Sequence, residues 1–587
     1  MGALPGGRVR ILVAAGVLLV AVVPRLWGLE DRCVWMDEDR QAGCSNGEIF
    51  AFDVCDKAAA QQQPPLDYHL ENISIHNFGL TPTGIRLNAA LLGSLAVLAF
   101  FLVASRFARS TAALAAGTLL MAFHPLLLFY SQEARPVSLA VLAAVLCAGA
   151  ILSFFAGRGD REAWVRRALV LLAAEMAFLL SVGLQPIAFL GAACLAAAPG
   201  LLIRRYRARV LGLWAVTAVA VALYLPVAVN LLDNTRTIAR VGGDLAGVLE
   251  GIASRWGEIR WGFVVEAHFR LFAPVLPLLA AAGLLCGIGW ARGELGLETR
   301  FALASMSIFA VSFPFVFAVL YYTNAGKYEI VPPRYYLTMV PPVILLFTLA
   351  GDRALRVLSW LWARRRVLAG ASLAVLLLCA AWAVWGTGRD LAVEMSTKRR
   401  DWRGLYELFS KEESGGVAYT LNFVGPGQWS PGFWSRRFYY PEEHRPVRLR
   451  GARQLAWNYR KARRFERNGA IYLVAVYGDR LVPDRALEGM PGVEFHRFHK
   501  LAVIRVAGRA GSRDRIFGVL TRLHDSIEQT PSKQILSGLV FQLAKIREDR
   551  PWIEESCRSL MSMEGKGWVA DLQIKCGKSM GSSAEPT

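Results

Sequence analysis

Charge is scarce in this chain. Only 19% of its 587 residues are Asp, Glu, Lys or Arg, where an ordinary soluble protein carries about 25%. That shortage excludes a simple soluble enzyme, and a hydrophobic share of 54% excludes a disordered chain. Acids are scarcer than bases: 46 against 66, for a formal net charge of +20. In a soluble protein such an excess would suggest nucleic acid. Here the arginines flank apolar runs, as membrane topology requires, so no nucleic-acid partner is expected. The sequence also lacks a phosphate-cradling glycine loop, a Walker sequence and zinc-ligand spacing, which argues against an ATP-driven pump.

Long apolar runs are what the chain has instead. A helix needs ~20 apolar residues to cross the hydrocarbon layer, and eleven segments qualify: Ile11–Leu29, Ile85–Phe107, Thr111–Tyr130, Pro136–Ala156, Ala168–Gly183, Pro186–Ile203, Val210–Leu231, Leu271–Trp290, Phe301–Tyr322, Tyr335–Ala350 and Val367–Trp385. The fifth and sixth are separated only by Ser181–Pro186, read as a tight hairpin. The first lacks a small-residue cleavage site and is read as a retained helix. The expected fold is a multi-pass α-helical membrane protein with about 11 transmembrane helices over residues 1–385. A C-terminal α/β domain over 386–510 and a helical tail over 511–587 follow it, ending in disorder from Gly577.

Basic residues set the orientation. Arg8 and Arg10, Arg106 and Arg109, Arg158 to Arg167, Arg204 to Arg209, Arg292 and Arg300, and Arg353 to Arg366 fall in alternate loops, which are therefore cytoplasmic. The N-terminus is then inside. Glu30–Gly84, Ser131–Arg135, Asp233–Arg270, Thr323–Arg334 and everything after Trp385 lie outside. In the tail, Asp401–Lys411 reads as a helix and Val417–Phe423, Ile471–Val476 and Leu501–Val506 as strands. Helical periodicity begins near Arg513. Of nine cysteines, Cys147, Cys194, Cys286 and Cys379 lie in apolar runs and read as packing. Cys33, Cys44 and Cys55 share the first outer loop, and the outside location of the tail predicts a Cys557–Cys576 disulfide.

The residues suited to chemistry gather in the outer segments. Asp37-Glu38-Asp39 follow the first span, where a carboxylate at the lipid boundary is partly desolvated and suited to act as a general base; the plain alternative is a solvated acidic turn. In Gln63-Pro64-Pro65-Leu66-Asp67-Tyr68, two prolines are expected to fix an extended backbone. Glu133 and Arg135 occupy a very short turn before Pro136. There a carboxylate could hold a divalent metal or an acceptor and an arginine a phosphate, or the two could form an ion pair. Lys327 and Arg334 precede the tenth span on the side where basic residues are disfavoured, which a surface phosphate or an interfacial anchor would explain. Glu175 lies mid-span, as a functional acid or a hydrogen-bond partner. His124 reads as packing, and Glu266 with His268 forms a weak metal pair.

Four of these pieces, in order, resemble the GT-C superfamily of integral-membrane glycosyltransferases. The similarity is to the group of protein O-mannosyltransferases, lipid A aminoarabinose transferases and rhizobial lipopolysaccharide sugar transferases. The pieces are the acidic pair Asp37-Glu38; Gln63-Pro64-Pro65-Leu66, where the family usually has His in place of Gln63; the run Tyr130-Ser131-Gln132-Glu133-Ala134-Arg135; and the turn Pro333-Arg334-Tyr335. Asp401-Trp402-Arg403 after the last span matches many bacterial members. The hairpin Ser181–Pro186 lacks the His-Tyr-type sequence often found there.

The resemblance implies transfer of a sugar from a polyprenyl-phosphate carrier to a hydroxyl on a glycan, lipid or protein, outside a bacterial inner membrane. It implies an inverting displacement with Asp37 as base and Glu38 as a second candidate for base or metal contact. Arg334, Lys327 and Arg135 would face the donor phosphate, and Glu133 an acceptor or a metal (Mg, Mn or Zn). Gln63, Pro64, Pro65 and Tyr335 would position the loops. Membrane lipids are further expected partners. A polymerase or ligase using diphosphate-linked donors, and a non-catalytic transporter or scaffold, are the competing expectations.

Overall fold

The computed structural model describes residues 7–48, 63–156, 161–183, 185–233, parts of 272–314, 333–364, 366–396, 402–412, 416–422, 447–451, 470–476, 487–498, 501–507, 511–526, 530–561 and 572–576, with Leu455 and Tyr459. The chain forms two compact units, Met1–Glu30 with Arg40–Thr397, and Asp31–Asp39 with Lys398–Thr587. The first outer loop is thus divided between them.

The first unit is helical: α1 (Gly7–Leu26), α2 (Met36–Ser45, entering from the second unit), α3 (Leu66–Phe78), α4 (Pro82–Ala104), α5 (Thr111–Phe123), α6 (Pro125–Tyr130), α7 (Val137–Ala156), α8 (Arg161–Leu179), α9 (Gln185–Ala197), α10 (Arg204–Asp233), α11 (Val340–Arg364) and α12 (Arg366–Ser396). Among the described residues six helices are long and apolar enough to cross a membrane, and Leu12–Leu26 and Thr111–Phe123 are shorter apolar helices. The chain is a helical membrane protein. The eighth and ninth expected spans lie largely outside the described residues.

Local chemistry sets the helix ends. Thr81 caps α4, its hydroxyl accepting the Gly84 N–H at 2.9 Å, with Pro82 as the first helical residue. Gly79 ends α3 at φ +80°, a backbone region that glycine enters without a Cβ clash, and its N–H donates to the Ile75 carbonyl at 2.8 Å.

The expected third span is not one helix. It breaks at His124, whose ψ of 122° is non-helical because Pro125 follows. His124 therefore does more than pack: its Nδ1 accepts the Leu127 N–H at 3.5 Å and caps α6. The turn between the fifth and sixth spans is present, since α8 ends at Leu179 and α9 starts at Gln185. The tenth span opens as a 3-10 turn, Pro333–Met339, and continues as α11 through Arg364, past the expected end at Ala350. Pro341 and Pro342 are tolerated because they fall in the first turn of α11.

Packing inside the bundle relies on small residues and on rings. Gly93 of α4 lies so close to the turn after α6 that a Cβ there would stand 2.7 Å from the Ser131 Cβ and 3.2 Å from Arg25 Nε. Phe189 of α9 meets Phe178 of α8 at 5.0 Å and Phe309 at 4.8 Å, both edge to face.

The end of the bundle where α5 starts is held by Asp352, which is fully buried on α11. Its Oδ1 accepts the backbone N–H groups of Arg109 and Ser110 at 3.0 and 2.7 Å, and its Oδ2 receives Arg353 at 3.1 Å and Arg356. The arginines expected in a cytoplasmic loop thus lie on a helix and neutralise the acid that ties α5 to α11.

The second unit carries a five-stranded sheet in the order β2-β1-β3-β5-β4, made of β1 (Gly416–Asn422), β2 (Val447–Gly451), β3 (Ala470–Val476), β4 (Val493–Phe498) and β5 (Leu501–Ala507). β1 pairs in parallel with β2 and β3, and β5 is antiparallel to β3 and β4. Helix α13 (Trp402–Ser410) packs Leu405, Tyr406 and Phe409 with Tyr472, Val474 and Val503 on one face. On the other face α14 (Ser512–Ser526) and α15 (Thr530–Arg547) pack with Tyr419, Ile471, Leu473 and Ile504. The two strands not expected from sequence, β2 and β4, are the edges, and both interleave charged residues with apolar ones, which blurs a strand signal and discourages edge pairing. After α16 (Arg550–Met561), Cys557 and Cys576 are joined by a disulfide with Cα atoms 5.4 Å apart. The expected disorder from Gly577 lies outside the described residues.

Replacing Asp352 by Ala is expected to destabilise the detergent-solubilised protein by about 2–4 kcal/mol, because two backbone donors and two guanidinium groups lose their acceptor. Thermal unfolding of the purified variant measures it; an unchanged midpoint would remove Asp352 as the tie between α5 and α11.

Candidate functional site

At the opposite end of the first unit, α1 finishes, α4 begins and α6 turns into α7. The turn is short and internally bonded: Gln132 N–H to the Phe129 carbonyl at 3.1 Å, Glu133 N–H to Tyr130 at 3.3 Å, and Arg135 N–H to Glu133 at 2.8 Å. Ser131, Gln132, Glu133 and Ala134 are buried, and Arg135 is half-buried. Gln132 explains how the turn is fixed. Its Nε2 donates to the carbonyls of Pro24 at 2.9 Å and Trp27 at 2.8 Å, groups that the end of α1 leaves without helical partners. Two arginines near this end are fully buried. Arg25 donates to the Ala21 carbonyl at 2.9 Å, and Arg86 of α4 to the Leu29 carbonyl at 2.5 Å.

Helices α2 and α3 contribute a second polar layer. Gln41 Nε2 donates to Asp67 Oδ2 at 2.6 Å, and one turn further along both helices the Ser45 hydroxyl donates to Glu71 Oε2 at 2.9 Å. Asn72 Nδ2 donates to the Ser45 and Gly47 carbonyls at 2.6 and 3.0 Å. Asn88 of α4 reaches the other Asp67 oxygen at 3.5 Å. Burial pushes the Asp67 carboxyl up to about 6, while the Gln41 hydrogen bond and the Arg135 guanidinium draw it back down. The fold therefore favours protonated Asp67; that contribution is full below the unfolded-chain value and is lost as the pH rises through about 6. Burial also pushes the neighbouring Tyr68 hydroxyl well up, so it stays a neutral donor.

The expected site residues fare unequally. Glu133 and Arg135 share the buried turn. Pro64 is buried and Gln63 half-buried immediately before α3. The extended backbone expected of the two prolines is not what Pro65 adopts: at φ −79° and ψ −11° it is helical and stands at the start of α3, where its missing N–H goes unused. Arg334 and Tyr335 lie on the 3-10 turn Pro333–Met339. Their side chains, like all of Lys327, Glu266 and His268, lie outside the described residues. Glu175 accepts the Thr217 hydroxyl at 2.9 Å, tying α8 to α10.

In the second unit's short segment, Asp37 is half-buried and Glu38 fully buried in the first turn of α2. Glu38 Oε2 accepts the Trp35 N–H at 3.2 Å, the reciprocal half of a capping box. Among the described residues no group of three or more His, Cys, Asp or Glu side chains is arranged to hold a metal ion.

Sequence reading passed over Gln41, Asp67 and Gln132 as site residues. Asp67 and Gln132 sat inside quoted motifs.

No family model matches this sequence, and no curated protein does. Among solved structures, the chain is similar to ArnT from Cupriavidus metallidurans bound to undecaprenyl phosphate, at 15% identity over 85% of this chain and 98% of that one, with a TM-score of 0.46. It is also similar to the oligosaccharyltransferase AglB from Archaeoglobus fulgidus in complex with an inhibitory peptide and a dolichol-phosphate, at 11% identity over 97% of this chain and 87% of that one, with a TM-score of 0.41. Both are GT-C glycosyltransferases.

Replacing Gln132 by Leu is expected to lower stability by about 1–3 kcal/mol, since two buried carbonyls lose their donor. Chemical or thermal unfolding in detergent reads the change, and wild-type stability would show that the α1 end finds another partner.

Proposed function

We propose that this chain is a GT-C-type glycosyltransferase. It moves a sugar from a polyprenyl-phosphate carrier to a hydroxyl acceptor on the outer face of a bacterial cytoplasmic membrane. The observation that carries the reading is the Tyr130–Arg135 run. It matches the family's motif without change, and it folds as a turn between α6 and α7 in which Ser131, Gln132, Glu133 and Ala134 are buried. The four motifs in family order support the same reading, as does the lack of a nucleotide-binding sequence, since a sugar already activated on a lipid needs none.

The reaction is a single inverting displacement. Asp37 takes the proton of the acceptor hydroxyl as its oxygen attacks the anomeric carbon. The bond from that carbon to the phosphate oxygen breaks, and the lipid phosphate leaves with the electron pair. Arg334, Lys327 and Arg135 stabilise the charge growing on it. Glu133 orients the acceptor, and Gln63, Pro64, Pro65 and Tyr335 shape the loops around it. Glu38 holds the start of α2.

Asp37→Asn is expected to leave expression and membrane insertion intact and to lower sugar transfer by at least about a hundredfold. Arg334→Ala should raise KM for the donor more than Lys327→Ala does. Transfer from a radiolabelled polyprenyl-phosphate sugar in isolated membranes measures both. Near-normal turnover by Asp37→Asn would take the base role from it.

A further inference from the structure

The sugar-transfer reading leaves one buried charge unexplained. Arg25, in the last turn of α1, is 1% exposed. A guanidinium keeps its charge in protein surroundings, and burying it is unfavourable unless an anion offsets the cost. Asp352, the buried acid at the other end of the bundle, has two arginines on it. Arg25 has no such partner. Among the described residues its guanidinium makes one hydrogen bond, from Nη1 to the Ala21 carbonyl at 2.9 Å, and its Nε is buried with no acceptor. A carbonyl at a helix end does not need a charged donor, since the neutral amide of Gln132 serves Pro24 and Trp27. The Arg25 side chain also lies against the turn that the transfer reading uses. A Cβ on Gly93 of α4 would stand 3.2 Å from Arg25 Nε, 3.5 Å from its Cδ and 2.7 Å from the Ser131 Cβ, so this seam closes around both only over a glycine. The Arg25 carbonyl accepts Gln132 Nε2 at 3.5 Å.

We propose, on the reading of the Tyr130–Arg135 turn as part of the donor site, that the counter-charge Arg25 lacks is the phosphate of the polyprenyl carrier. Arg25 is a charge behind the site, acting by its field. Little water screens a buried guanidinium, so an anion several ångströms away at the turn feels it. The donor phosphate is a diester with one negative charge, and the lipid phosphate that leaves is a monoester carrying up to two. A fixed buried cation therefore favours the leaving group over the bound donor, in the direction of transfer. Binding the phosphate also relieves the cost of the unpaired charge, so ligand and fold stabilise each other.

The test uses the full chain in nanodiscs and two probes: a short-chain polyprenyl phosphate, and its dimethyl ester, which keeps the tail and has no charge. The wild type is expected to prefer the phosphate. Arg25→Gln should raise the Kd for the phosphate about tenfold and leave that for the dimethyl ester unchanged. Without ligand its thermal unfolding midpoint should be no lower than the wild type's, because an uncompensated buried charge is gone. Arg25→Lys should restore the preference, and Arg25→Met replaces Arg25→Gln if that variant does not fold. A merely structural Arg25 would instead lower the midpoint and weaken both probes alike, with Lys no better than Gln. That result, or a wild-type preference in Arg25→Gln, overturns the role of Arg25 and leaves the donor reading standing. Displacement of the phosphate probe by an equal mole fraction of phosphatidylglycerol would make the occupant an ordinary lipid and overturn it as well. If the wild type shows no preference between the two probes, the carrier reading falls, and the role of Arg25 with it.

Discussion

A helix bundle that faces lipid can leave no backbone group and no charge without a partner. In the first unit this constraint places the polar side chains. Gln132 answers the carbonyls freed where α1 stops, and Asp352 answers the N–H groups freed where α5 starts. Both ties join segments about a hundred residues or more apart in the chain. They act at opposite ends of the bundle, so the apolar helices between them need only pack. Gln132 ties the turn that carries Glu133 and Arg135 to the end of α1.

The same constraint turns structural groups into candidate chemical ones. An acid buried for packing reasons becomes sensitive to every charge near it, since little water screens the interaction. Asp67 is such an acid, 1% exposed and held by the Gln41 amide at 2.6 Å. Glu38 is another. Its carboxylate is buried too, and it accepts a backbone N–H at the start of α2.

Sequence alone made the membrane helices legible, because twenty apolar residues in a row have few other readings. It was poorer at their interruptions. His124-Pro125 breaks a run whose composition is uniformly apolar, and the cause is one ring and one missing N–H. The helices Met36–Ser45 and Leu66–Phe78 were read as loop, since their buried faces carry Gln41, Ser45, Asp67 and Glu71 in place of leucines. The edge strands Val447–Gly451 and Val493–Phe498 hid behind alternating charge for a related reason. Within the site, motif order pointed to Asp37, Glu133, Arg135 and Arg334. The Gln41–Asp67 bond was out of reach because it depends on how two helices meet, and spacing within either helix does not state that.

The central claim is that the first outer loop and the approach to the tenth span face the same side of the membrane, where a lipid-borne sugar presents its phosphate. Single cysteines at Asn77 and Lys327, in an otherwise cysteine-free chain, test it with a membrane-impermeant maleimide on intact spheroplasts; a third at Ser359 reports the other side. The account predicts that Asn77→Cys and Lys327→Cys are labelled at once and Ser359→Cys only after permeabilisation. Labelling of Lys327→Cys that requires permeabilisation, with Asn77→Cys labelled in intact cells, would contradict a shared site.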